Sequence, residues 1–193
     1  MTYENPNAID VVLEKILLDM IITPKYMKEY LKKIDLKGNE RVMEFGCGAG
    51  NCSRWLAKNL NGGSLTCVDV SEFWMEKAKK RLNRFSNVEF FLGDINKDFN
   101  SNKKFDLIFI HQVIHDIARG ERQEIIDSLV GILSENGRIF IGEPINEDHG
   151  MPLKEIRGLM ENSGMKENDY FFNKVMLIGN SYLGIYEKNN INK

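Results

Sequence analysis

The sequence predicts an α/β fold, a mostly parallel sheet with helices on both faces built as a single domain. Short apolar runs of strand length alternate with segments of helical period along most of the chain. The length, 193 residues, suits one such sheet with its covering helices. Polar and glycine-rich stretches fall directly after the strand-like runs. That is where open parallel sheets bind ligands.

The front end reads as helical. Ile9, Val12, Leu13, Ile16, Leu17 and Met20 recur at helical spacing. Thr23-Pro24 is an N-cap and first-turn proline signal for a second helix that runs to about Lys33, where Lys37-Gly38-Asn39 breaks it. These helices, residues 1–38, either form a lid over a ligand site beyond the strand ends or pack on the sheet or on a second subunit. As a cover they would offer Tyr3, Tyr26, Met27 and Tyr30 as lining residues. The core, residues 39–193, opens with a strand at Arg41 to Phe45 and a helix from about Asn51 to Leu60. A strand follows at Ser64 to Asp69, then a helix capped by Ser71 that ends near Arg84. Strands at Val88 to Leu92 and Phe105 to Ile110 come next, then a helix at Glu121 to Leu133 and a strand at Arg138 to Glu143. After a helix at Pro152 to Ser163, strands at Asp169 to Ile178 and Ser181 to Lys188 flank Gly179-Asn180 as an antiparallel hairpin.

Composition narrows the function. Hydrophobic residues make up 42% and charged residues 28%, as in ordinary globular proteins. A net charge of -2 argues against a nucleic-acid partner. Cys47, Cys52 and Cys67 match no zinc or CxxC spacing and read as small buried hydrophobes in a reducing, cytoplasmic compartment. The opening MTYENPNAID has no signal-peptide pattern, and Ile9 to Ile22 carries too many charges to insert in a membrane. The broad apolar face of that segment suits a homodimer contact.

The most informative stretch is Glu44-Phe45-Gly46-Cys47-Gly48-Ala49-Gly50-Asn51, which leaves a strand and opens a helix. Glycines permit the tight turn and a close ligand approach, and the helix start offers free N–H groups. A dinucleotide fingerprint would need glycine at 51, where Asn51 stands. Glu44 would repel a pyrophosphate but suits a ligand with an ammonium group. Both features speak against a nicotinamide oxidoreductase. Asp69, after the next strand, is at the right distance to accept from two ribose hydroxyls. Asp94, in Gly93-Asp94-Ile95, reads either as an adenine amino acceptor with Ile95 on the ring or as a plain loop aspartate.

In order and spacing, E-x-G-x-G-x-G, the Asp after strand two, the Gly-Asp after strand three and Phe105-Asp106-Leu107-Ile108-Phe109 resemble the class I S-adenosylmethionine-dependent methyltransferases over residues 40 to 145. The resemblance implies a Rossmann-like three-layer α/β/α fold whose seven-stranded sheet ends in an inserted antiparallel strand. It implies S-adenosylmethionine as cofactor, held by Glu44, Gly46, Cys47, Gly48, Asp69, Val70, Asp94, Ile95 and His111, and S-adenosylhomocysteine as product. No metal is needed. The stretch His111 to Asp116, with Glu143 after the next strand, is similar to the small-molecule O-methyltransferases. There a histidine before aspartate acts as base and a glutamate flanks it. The match puts His115 and Glu143 in those catalytic roles. The tryptophan usual after His-Asp is Ile117 here, and that group's long N-terminal domain is missing. The plain alternative for His115 is a helix-start residue that bonds locally. No Asn/Asp-Pro-Pro-aromatic motif follows strand four, which sets the chain apart from nucleic-acid base methylases. The expectation is methyl transfer to a small molecule, with a catalytically silent cofactor-binding protein as the alternative.

Overall fold

The computed structural model describes residues 23–99, 102–145, 150–175 and 179–189. The expected helix from Ile9 to Met20 and the candidate lining residue Tyr3 lie outside them, as does the side chain of Tyr26. Two compact units divide between Asp94 and Ile95.

The first unit contains α1 (Thr23–Ile34), β1 (Arg41–Phe45), α2 (Asn51–Asn59), β2 (Ser64–Asp69), α3 (Glu72–Leu82) and β3 (Val88–Leu92). β1 and β2 run parallel with Glu44 opposite Cys67, and β2 and β3 run parallel with Asp69 opposite Leu92. Four of five β1 residues and five of six β2 residues are buried, as expected of strands covered on both faces. α1 buries Met27, Tyr30 and Ile34. The Ser71 hydroxyl accepts from Trp74 N–H at 3.3 Å and caps α3. Asn87 closes the far end of α2, donating its side-chain amide to the carbonyls of Ala57 and Leu60.

The second unit contains β4 (Phe105–His111), a 3-10 turn (Ile114–Asp116), α4 (Arg122–Gly131), β5 (Leu133–Pro144), α5 (Leu153–Asn162), β6 (Met165–Val175) and β7 (Gly179–Lys188). β4 and β5 run parallel, and Phe109 and Phe140 stack at 4.8 Å in their core. β7 is antiparallel to both β5 and β6. The strand order is β3-β2-β1-β4-β5-β7-β6 in a seven-stranded sheet.

Three strands start earlier than their sequence pattern indicates, and one of them, β7, begins at Gly179 rather than Ser181, so Gly179 and Asn180, expected as the hairpin turn, pair with Val175 and Lys174. β5 begins at Leu133 rather than Arg138, because Leu133 pairs with Phe105 before the register breaks and resumes at Arg138. Gly137 lies in the break, where a Cβ would stand 2.8 Å from the Phe105 carbonyl oxygen. β6 begins at Met165 rather than Asp169. Its first residues are mostly polar, and a register shift between Glu167 and Asp169 interrupts the alternation that marks a strand.

β7 carries Tyr182 and Tyr186 on either side of Gly184, and their hydroxyls lie 2.5 Å apart. Glu167 accepts from both tyrosines and from Arg157 Nε and Nη2, the latter two at 2.9 and 2.8 Å. The rings close over Gly184, where a Cβ would lie 2.3 Å from the Tyr182 hydroxyl and 2.6 Å from the Tyr186 ring. Gly184→Ala therefore pushes the tyrosines off Glu167 and lowers the unfolding free energy by about 1–3 kcal/mol, as overpacking does. Urea denaturation measures this.

Candidate active site

The first unit gathers the glycine loop around Asp69. Gly46, Gly48 and Gly50 all have left-handed backbones, at φ 72, 51 and 79. The N–H groups of Gly46 and Cys47 both donate to the Val68 carbonyl at 2.9 Å, which pins the loop to β2. Asp69 accepts from Gly48 N–H at 2.7 Å on one oxygen and from Ser71 N–H at 2.9 Å on the other, with the Val70 N–H a third backbone donor beside it. An ionised carboxylate has about four acceptor positions, so these donors do not fill it. A Cβ on Gly48 would meet nothing within 4 Å, so open space lies in front of the loop. Gly50 packs tightly instead, with a Cβ position 3.3 Å from the Ala78 backbone. It also leads into α2, whose first turn has no side-chain cap.

Glu44 lies beneath the loop at 4% exposure and accepts from the Ser53 hydroxyl. Burial, with the Asp69 carboxylate nearby, holds its carboxyl well above the usual range against the opposing Ser53 bond. The Cys47 thiol is also pushed up, first by its bond with Cys67 and then by burial. Burial raises the Asp69 carboxyl, with the backbone N–H bonds opposing it. Val70, the next residue, holds an apolar side chain at 58% exposure. Asp94 is half-buried at the end of this unit. Ile95, which begins the second unit, is buried at 6% exposure.

The second unit gathers His111, His115 and Glu143. Glu143 is fully buried at the end of β5. Its Oε1 accepts from Val113 N–H at 3.0 Å and Ile114 N–H at 2.9 Å, at the start of the 3-10 turn. Its Oε2 lies 2.6 Å from His115 Nδ1. A carboxylate only accepts, so Nδ1 carries the proton and Nε2 is the lone-pair nitrogen of the neutral ring. Asp116 Oδ1 is 3.5 Å from that Nε2. Burial pulls the His115 pKa down, but the Glu143 bond and charge outweigh it, and the net shift is upward. His111 ends β4 and stacks on Phe109 at 6.1 Å between ring centres. Burial lowers its pKa to about 4, against the opposing charge of Glu143. Gln112 follows with a left-handed φ of 58 and donates its N–H to the Gly142 carbonyl at 2.7 Å. A non-glycine residue in that region marks a loop held by its surroundings.

Sequence reasoning passed over Ser53 and the N–H groups of Val113 and Ile114. Ser53 had a signal, a hydroxyl on the buried face of α2 beside Leu56 and Ala57. The N–H groups had none, because backbone donors carry no residue code. Among the described residues, no three His, Cys, Asp or Glu side chains gather to hold a metal ion, and no helix is long and apolar enough to cross a membrane.

Residues 43–139, half of the chain, match the family described as "Methyltransferase domain". The chain belongs to this methyltransferase family. The malonyl-[acyl-carrier protein] O-methyltransferase 1 of Ilyobacter polytropus is 28% identical over 118 residues, covering 60% of this chain and 42% of the relative. The protein-L-isoaspartate O-methyltransferase of Dictyoglomus turgidum is 30% identical over 142 residues, covering 72% of this chain and 61% of the relative. The chain thus spans less than two thirds of either relative. The crystal structure of the N-methyltransferase NodS from Bradyrhizobium japonicum with S-adenosyl-l-homocysteine aligns at a TM-score of 0.72 and 20% identity, covering 86% of each chain. That likeness is one of fold.

Glu143→Gln removes the hydrogen bond and the charge that chiefly oppose burial at His115 and leaves only Asp116 against it, so the imidazole pKa falls from its raised wild-type value. A proton-resolved NMR titration reads the shift. The raised pKa of the wild type adds stability below the unfolded-state value and loses it as pH rises through the folded-state value. The stability gap between wild type and variant is therefore widest at acid pH and narrows as pH rises through the raised folded-state value, as urea unfolding measures.

Proposed function

We propose that the chain transfers the methyl group of S-adenosylmethionine to a small-molecule acceptor, with His115 as general base for an oxygen atom. The observation that carries this reading is the His115–Glu143 pair. A buried carboxylate fixes the protonated nitrogen at Nδ1, which leaves Nε2 to take a proton.

The first unit fits the cofactor. Open space before Gly48 admits the ligand, and the uncapped start of α2 suits its carboxylate. The Asp69 carboxylate, not filled by its backbone donors, suits the ribose hydroxyls, and the exposed Val70 suits an adenine face. An ammonium group near Glu44 would restore its ionised form, which burial disfavours. We assign Glu44, Gly46, Cys47, Gly48, Asp69, Val70, Asp94, Ile95 and His111 to cofactor binding. Bound there, S-adenosylmethionine supplies a methyl carbon already activated by its sulfonium. His111, with a pKa near 4, stays neutral at pH 7 and does not oppose that positive charge. His115 removes the acceptor proton, and Glu143 holds the ring in the needed tautomer while it does so. The three cysteines are free, which suits the cytoplasm as the enzyme's location.

Methyl-labelled S-adenosylmethionine, added with a cell extract and then split into small-molecule, lipid, protein and nucleic-acid fractions, tests the reading. Label appears in the small-molecule fraction, and transfer speeds up as pH rises through the His115 pKa. His115→Gln loses most of the transfer while keeping S-adenosylhomocysteine affinity. Label in a macromolecular fraction overturns the acceptor class. Binding with no label anywhere points to a silent cofactor-binding protein. Asp69→Asn puts an amide donor against the N–H of Gly48 or Ser71, so S-adenosylhomocysteine affinity drops about tenfold to a hundredfold in calorimetry. Unchanged affinity removes Asp69 from the site.

A further inference from the structure

Arg122 is the first residue of α4, where the helix macrodipole disfavours a cation. Its side chain is nonetheless only 12% exposed. Three of its nitrogens are engaged. Nη2 donates to the His115 carbonyl at 2.8 Å, and Nε donates to the Ile117 carbonyl at 2.9 Å. Nη1 donates to Glu155 Oε1 at 2.8 Å. Glu155, on α5, is 14% exposed and also meets Arg119 at 3.3 Å.

The two carbonyls lie at the end of the 3-10 turn that carries His115. Carbonyls at a helix end lack partners within the helix, and N–H groups at its start lack them too. Here Glu143 takes the N–H groups at the start and Arg122 takes carbonyls at the end. The anion and the cation each sit at the turn end that the backbone dipole favours. The ring between them has both ends of its backbone clamped.

We propose that Arg122, anchored by Glu155, is a positioning residue for His115, clamping the carbonyl end of its turn so that Nδ1 stays on Glu143 and Nε2 stays turned to the acceptor. This rests on the base role proposed for His115. Arg122 itself touches no reacting atom. The charged and titratable groups acting on His115 are Glu143, Asp116 and Arg122, with His111 coupled to it. The carboxylates favour the protonated ring, and the Arg122 cation opposes it.

The test uses the full chain without cofactor, labelled with 15N, in long-range proton–nitrogen spectra that report the His115 tautomer and pKa. Arg122→Lys keeps the charge but cannot hold two carbonyls and Glu155 together. Glu155→Gln keeps the guanidinium and weakens its anchor. Both variants shift His115 from one tautomer to a mixture. With an acceptor found by label transfer, kcat falls about tenfold to a hundredfold while the acceptor KM and S-adenosylhomocysteine affinity hold. Arg122→Gln also removes the opposing cation, so the His115 pKa rises above that of Arg122→Lys. A single wild-type tautomer in both folded Arg122 variants overturns the proposal. Should Arg122→Lys not fold, Glu155→Gln carries the same tautomer test. Full-speed transfer by His115→Gln overturns the base reading instead, and the tautomer result judges the clamp separately.

Discussion

A carboxylate shut away from water has to find its hydrogen bonds inside the protein, and Glu143 is the group on which the second unit's loop depends. It is fully buried and faces Val113 N–H, Ile114 N–H and His115 Nδ1. Removing a partner from such a buried charge costs about 3–5 kcal/mol. The loop after β4 is therefore bent to bring those donors in. Gln112 takes a left-handed backbone to make the turn, and Gly142 leaves room where a Cβ would lie 2.9 Å from the His111 ring. Loop shape and ring direction are two readings of one constraint.

Asp69 organises the first unit in the same way, with a different remainder. It too ends a parallel strand, and it too gathers backbone N–H groups, from Gly48 and Ser71. Asp69 keeps 7% exposure. Glu143 keeps no exposure at all. One acid is suited to receive a ligand, whereas the other serves the protein's own donors. The contrast comes from exposure, since both are strand-end acids that gather donors from the following loop.

Much of this was legible beforehand where sequence and backbone obey one rule. β1 to β3 declare themselves as short apolar runs closed by turn signals, and Ser71 announces α3 as a cap. The glycine loop is readable because left-handed backbone at 46, 48 and 50 calls for that residue. The pairing of His115 with Glu143 was legible from two successive strand ends as well as from a resemblance, although the two stand 28 positions apart. The early starts of β5 and β6 were not legible. A register break hides one and a polar start with a bulge hides the other. Arg122 was not legible either, although a cation at a helix start departs from the usual charge pattern.

The place of β7 in the sheet also governs the order in which the second unit can be completed. β6 precedes β7 in the chain, yet its sheet neighbour is β7, which lies between it and β5. A ribosome thus delivers β6, with Tyr170 and Phe172 on its surface, before the strand that can receive it exists. β7 then closes two ladders at once, like a keystone set after the stones on either side. Until it seats, the β5 edge it will cover stands open to any other extended chain. Its seating is the moment when this half of the molecule stops being available for the wrong partner.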